Sequence, residues 1–160
     1  MLPTSAVWPI DVRSTFDLPG GRVVAGRLHG APEDPDERGG WPDGLVWLRL
    51  GLSEALRATC VAHLGSRRTG DAYILHQQLV RGVLADAAAT QLEVRAVLEG
   101  ISDGTPDPAG LGLLNVQITT ADREQVRLLG ASGYLASGPG TVAYASELLA
   151  EVHTTAGASA

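Results

Sequence analysis

Cys60 and His63 lie three residues apart, a spacing at which a helix presents a thiolate and an imidazole on one face as metal ligands. Two ligands without a second pair do not complete a site, and the lone cysteine reads as core. Gly110-Leu111-Gly112-Leu113-Leu114-Asn115 approaches the glycine fingerprint that lets a backbone close on a dinucleotide pyrophosphate. Asn115 stands where the last glycine belongs, however, and no strand precedes it, so the stretch reads as a glycine-rich helix start. His29, His76 and His153 have no partner at a telling spacing. An acid/base role for His76 or His153 rests only on the ordinary titration of imidazole near neutrality. The serines lie outside any Gly-x-Ser-x-Gly turn. Glu147 and Glu151, four apart, read as a solvated helical face rather than a paired acid and base.

The elements that must position such residues fall into two parts. In the first 43 residues, Val12-Arg13-Ser14-Thr15-Phe16 and Arg22-Val23-Val24-Ala25 are short β-type runs separated by Pro19-Gly20-Gly21, which predicts a hairpin. Ala31-Pro32-Glu33-Asp34-Pro35-Asp36-Glu37-Arg38-Gly39-Gly40 follows as an acidic linker rich in proline and glycine.

From residue 44 to 153 the pattern becomes helical. The first helix is predicted over 44–64, started by Pro42-Asp43 and stopped by Gly65, with Leu45, Leu48, Leu52, Leu56 and Thr59 on one face. The second, over 75–99, carries Leu75, Leu79, Val83, Thr90, Val94 and Leu98 and halts at Gly100. After the loop Ser102–Pro108 a third runs over 110–129 through Leu111, Leu114, Ile118 and Leu129, and a fourth over 140–152. Four helices with one apolar stripe each satisfy one another around a shared core, so the expectation is an all-α, up-down four-helix bundle preceded by a short hairpin. Gly82, Ala85, Ala87, Ala88 and Ala89 allow close packing around the second helix. Residues 154–160 are expected to fray.

Composition fits this division. The chain has 160 residues, 44% of them hydrophobic and 19% charged, enough for one globular domain. Twelve basic residues, all arginine, against eighteen acidic ones give a net charge of −6, which argues against nucleic-acid or anionic-membrane partners. With one cysteine, no signal-peptide pattern and no apolar run of about 18 residues, a cytoplasmic protein is the expectation.

The second half carries two further motifs. Arg67-Arg68-Thr69-Gly70-Asp71-Ala72-Tyr73-Ile74-Leu75-His76-Gln77-Gln78 is similar to the Arg-x-x-Phe-Gly-x-x-Leu-x-x-x-Gln motif of the acyl-CoA dehydrogenase family, with Arg67 and Gln78 at the family's separation. It continues without a gap into Leu84-Ala85-Asp86. Leu128-Leu129-Gly130-Ala131-Ser132-Gly133-Tyr134 resembles that family's Leu-Gly-Gly-x-Gly-Tyr/Phe turn. Over about residues 44–155 the chain therefore resembles the C-terminal helical domain of these flavoenzymes, which remove hydrogens from Cα and Cβ of acyl thioesters.

The resemblance implies that Arg67 and Thr69 contact an FAD pyrophosphate across a subunit interface, a task suited to the planar arginine fork, with Gln78 and Gly130 completing the cofactor motifs. It also marks departures. The family's Phe and Gly fall on Gly70 and Asp71, its Gln before the turn on Arg127, its second turn glycine on Ala131, and its Arg-Asp pair on Ala145-Ser146. The catalytic Glu falls on Thr154, which cannot abstract an α-proton. Asp43 lies near the family's alternative position for that base without falling on it, and the hairpin around Phe16-Asp17 resembles the last middle-domain strands.

The expectation is a small subunit without metal that shares FAD with a larger acyl-CoA dehydrogenase-like chain and is inactive alone. The alternative is a degenerate, non-redox structural or acyl-thioester-binding module, or a bundle turned to another reaction. Either would form a homo-oligomer or a larger assembly, because the family buries one face of this bundle.

Overall fold

A computed structural model describes residues 10–18, 21–28, 42–101, 107–135 and 138–154. They belong to two units, Met1–Gly40 and Trp41–Ala160. The first is the expected hairpin, with strands longer than the β-type runs alone suggest: β1 spans Ile10–Leu18 and β2 spans Gly21–Leu28. Their antiparallel register places Asp11 opposite Arg27 and Asp17 opposite Arg22, so positions of opposite charge extend the pairing beyond the apolar centre. The register shifts between Val12 and Ser14. Pro19-Gly20, the linker over 31–40, the loop residues 102–106 and the tail 155–160 lie outside the described residues.

The second unit is helical. Helix α1 is Pro42–Ser66, α2 is Gln78–Gly100, α3 is Pro108–Leu128 and α4 is Thr141–Thr154. Pro42 suits a first helical position because its missing N–H has no intrahelical partner there. At the start of α3, Asp107 accepts from the backbone N–H groups of Ala109 (3.2 Å) and Gly110 (3.1 Å) with Pro108 next to it, so Gly110 to Asn115 form a capped helix start and no phosphate loop. None of the described helices is long and apolar enough to cross a membrane.

The second helix begins three residues later than its periodicity predicts. Gly70, at φ 60°, turns β3 (Arg68–Thr69) back onto β4 (Ala72–Tyr73), and Ile74 N–H donates to Arg67 O at 3.0 Å. A 3-10 turn, Ile74–His76, follows. The leucine and isoleucine of this segment mimic a helical stripe, but the preceding tight hairpin consumes the residues that would continue it.

Directions follow from side-chain contacts. Glu54 meets Arg95 and Arg57 meets Gln91, so α1 and α2 run antiparallel. Arg49 meets Asn115 and Thr119 while Cys60 meets Gln125, so α1 and α3 run parallel. The start of α4 is packed on the 3-10 turn Gly130–Tyr134, since a Cβ at Gly140 would collide with Gly133 O. Its Ser146 then reaches Arg49, which completes an up-down-up-down bundle.

Val46, Leu50, Val94, Leu98, Leu111, Leu114 and Ile118 form one apolar cluster, with Trp47 and Ile101 against it. Each such side chain contributes roughly 1.5–3 kcal/mol on burial. The predicted stripe of α3 is buried, as are Leu45, Leu56, Val94 and Leu98. Two expected core leucines are exposed instead, Leu48 at 45% and Leu79 at 85%, while Leu52 and Leu75 are half-buried. On α1 the buried stripe runs instead through Val46, Arg49, Leu50, Ser53, Leu56, Cys60 and Leu64. Arg49 and Ser53 occupy core positions because partners on the other helices satisfy them, which periodicity of apolar residues alone does not register.

Candidate functional site

Polar side chains converge in two places in the helical unit. The first is inside the bundle. Arg49, Ser53, Gln91, Asp122, Gln125 and Ser146 are all buried, drawn from all four helices. Arg49 donates through Nε to Ser146 Oγ (3.1 Å), through Nη1 to Asn115 O (3.1 Å) and Oδ1 (2.5 Å), and through Nη2 to Thr119 Oγ1 (2.7 Å). Gln91 donates to Ser53 Oγ at 2.9 Å and accepts from Arg57 Nε at 2.7 Å. Burial lowers the Arg49 pKa, opposed by the nearby charges of Asp122 and Glu147.

Asp122 is the exception in this layer: neither carboxylate oxygen has a partner in hydrogen-bonding geometry, and Gln125 Oε1 has none either. Burial pushes the Asp122 carboxyl up to about 6, while the hydroxyl of Ser53, the charge of Arg49 and the hydroxyl of Ser146 pull it back. Those hydroxyls already accept from Gln91 and Arg49. The neighbouring Cys60 thiol donates to Gln125 O at 3.4 Å, and burial followed by the Asp122 charge pushes it up to about 12. A thiol so protected is no nucleophile, and it is a core residue as expected. No group of three or more metal-ligating side chains occurs among the described residues.

The second place is the end of the bundle where α1 and α3 finish. Ser66 Oγ donates to His63 O at 2.9 Å and closes the last turn of α1. Arg67 follows, exposed, and its one side-chain contact among the described residues puts Nη1 3.3 Å from His63 Nε2. Arg68 is engaged differently: Nη2 donates to Asp71 O at 2.7 Å, and its guanidinium lies 4.9 Å from the Tyr73 ring centre. The side chain of Arg67 therefore keeps most of its donors open to a ligand.

Across from it, α3 ends in Gly130 at φ 58°, a conformation that suits glycine because a Cβ costs about 1 kcal/mol there. The turn carries Ser132, whose Oγ donates to Leu129 O at 2.6 Å and lies 3.3 Å from His63 Nε2. His63 Nε2 thus stands between two stretches 69 positions apart in the chain.

Of the predicted cofactor residues, Arg67 and the turn bearing Gly130 come together through His63. Thr69 sits exposed on β3, beside Arg67 in the chain. Gln78 opens α2 with its side chain exposed, and among the described residues no hydrogen bond of that side chain ties it to the other three. Thr154 is the last residue of α4, at a position where its side chain is outside the described set. Glu147 is engaged by Arg123, at 2.9 and 3.2 Å, in line with a surface role. The side chain of Glu151 is outside the described set.

Sequence reasoning missed His63 as a joint between motifs and missed the buried layer. The second was visible in part: continuing the stripe from Ile118 toward Leu129 passes through Asp122 and Gln125. The contact between His63 and Ser132 left no local signal. Between α2 and α3 an open groove of about 270 Å³ is lined by Val83, Ala87, Thr90, Val116 and Thr120, with Asp86 and Glu124 at its edge.

The chain matches no protein-family model and no curated protein sequence.

Proposed function

We propose that the chain is an acyl-CoA dehydrogenase-like small subunit that supplies the diphosphate-gripping corner of an FAD and acyl-thioester site shared with a larger chain. The observation that carries this reading is the joint at His63, which sets Arg67 beside the Gly130 turn, the two motifs on which the resemblance rests.

The residues present fit the diphosphate part of FAD. Arg67 is exposed and not paired with a carboxylate among the described residues, and a Cβ built on Gly130 meets no atom within 4 Å, so a ligand reaches that backbone unobstructed. Arg67 would hold two phosphate oxygens through its fork, with the Thr69 hydroxyl as a further donor. Asp71 on the same hairpin weakens the attraction without filling the space. FAD, when bound, supplies the acceptor for the hydride leaving the acyl thioester.

By the resemblance, the position of the base that takes the α-proton falls on Thr154, which is no base, and Asp122 is buried within the bundle. That base has to come from the partner. The isolated chain is accordingly expected to show no turnover of acyl-CoA with an artificial electron acceptor, and robust turnover would overturn the reading. In the assembled complex, Arg67→Ala is expected to strip flavin while leaving the complex together. Unchanged flavin content after that substitution counts against it.

A second reading draws on the groove between α2 and α3, whose apolar floor suits a hydrocarbon chain in a non-redox acyl-thioester-binding module. Displacement of a fluorescent fatty acid by acyl-CoA from the isolated, colourless protein, lost in Val116→Asp, separates it from the first.

A further inference from the structure

His63 Nε2 stands 3.3 Å from Arg67 Nη1 and 3.3 Å from Ser132 Oγ, and it cannot hydrogen-bond to both at once. Arg67 only donates, so that bond needs a lone pair on Nε2. Ser132 spends its proton on Leu129 O at 2.6 Å, so its bond to His63 needs a hydrogen on Nε2. One ring nitrogen carries one or the other.

From this conflict we infer that His63 is a positioning residue for anion capture: a diphosphate takes Arg67 away from Nε2, and Nε2 then takes up the ring proton and donates it to Ser132. In the free protein Nε2 accepts from Arg67 and the ring proton is on Nδ1. When phosphate oxygens occupy the arginine fork, Nδ1 releases its proton to solvent and Nε2 takes one up, so the proton count of the ring is unchanged. A chain then forms in which Nε2–H donates to Ser132 Oγ and Ser132 O–H donates to Leu129 O. The bond gained at Ser132 offsets the bond lost at Arg67, and Arg67 is released to the ligand at little cost. The inference rests on the flavin-site reading for the place of the ligand, but the shared chemistry is any nucleotide diphosphate. Both FAD and the coenzyme A part of an acyl thioester carry one.

The arrangement makes an unusual forecast for substitutions. Glutamine at position 63 offers an oxygen to Arg67 and an amide N–H to Ser132 together, so His63→Gln holds the arginine back and weakens binding. His63→Ala removes competitor and compensator alike, so it binds more tightly than His63→Gln, which keeps the competitor. Ser132→Ala removes only the compensation and costs about fivefold, the value of one ordinary hydrogen bond. A merely structural or directly contacting histidine gives the opposite order, with alanine worse than the isosteric glutamine.

The test is titration of the purified full chain, labelled with ¹⁵N in histidine, with inorganic pyrophosphate. Melting curves confirm that each variant folds. The expected result is that the His63 Nε2 resonance moves from acceptor-type to donor-type as pyrophosphate binds, with affinities in the order His63→Ala above His63→Gln. Absence of binding, binding with His63 unmoved, or the reverse order overturns the inference. Parallel titrations with FAD and with coenzyme A identify the source of the diphosphate. A response to pyrophosphate and coenzyme A but not to FAD, alone or with the partner, retires the flavin reading and leaves the His63 device standing. Flavin held by the assembly with His63 unmoved does the reverse.

Discussion

Asp122 shows what one buried carboxyl does to the whole protein. Its carboxyl is raised to about 6 from an ordinary 3.8, so the folded state holds a proton more tightly than the unfolded chain does. The sign is therefore opposite to that of a salt-bridged acid. The ionised group costs stability above pH 6, and this cost is relieved as pH falls through 6 toward 4. A shift of this size corresponds to about 3 kcal/mol. Urea melts at pH 7 and pH 5 are expected to show the unaltered protein gaining stability relative to Asp122→Asn, whose contribution does not titrate. Parallel pH curves for the two would place the carboxyl in water. Arg49 is the complementary case. Replacing it with leucine leaves Asn115, Thr119 and Ser146 without their donor and Asp122 without its counter-charge, an expected loss of about 3–5 kcal/mol by calorimetry. Retention of full stability would mean that the buried layer contributes nothing.

At the scale of elements, the corrected faces of the helices are testable. Leu50→Ala, in the apolar cluster, is expected to cost about 2–5 kcal/mol, whereas Leu79→Ser is expected to change stability by less than about 0.5 kcal/mol. Equal effects would restore Leu79 to the core. Asp107→Ala removes the cap of α3 and is expected to cost about 1 kcal/mol. The existence and order of the four helices were legible in the sequence, because Leu111, Leu114 and Ile118 or Val94 and Leu98 recur at helical spacing between proline and glycine signals. The face of α1 was not: Leu48 and Leu52 compete with Val46 and Leu50 for the same reading, and the deciding partners of Arg49 sit on α3 and α4. The β3–β4 hairpin was hidden for a similar reason, since Ile74 and Leu75 continue the spacing of α2 while Gly70 interrupts the chain before them. Arg67, Thr69, Gln78 and Gly130 could be singled out only by resemblance. The bond pattern at His63 that joins two of those four positions exists only in three dimensions.

At the scale of the molecule, the described helical unit leaves apolar side chains on its outer surface, with Leu79, Leu92, Leu113 and Val116 each more than half exposed. An assembly that covers part of this surface is expected, whether with copies of itself or with a larger chain. Sedimentation of the purified protein at high concentration checks the self-association arm, and a strict monomer leaves only the heteromeric one. The proposed division of labour is that this chain grips a diphosphate at the end of its bundle while the partner provides the rest of the flavin pocket and the base. It is tested most directly by the absorption spectrum of the protein captured gently from its native host, with the accompanying chains identified by mass spectrometry. The expected result is an oxidised-flavin spectrum, a larger second chain in fixed proportion, and loss of the flavin in Arg67→Ala. A colourless protein associated only with itself would contradict it.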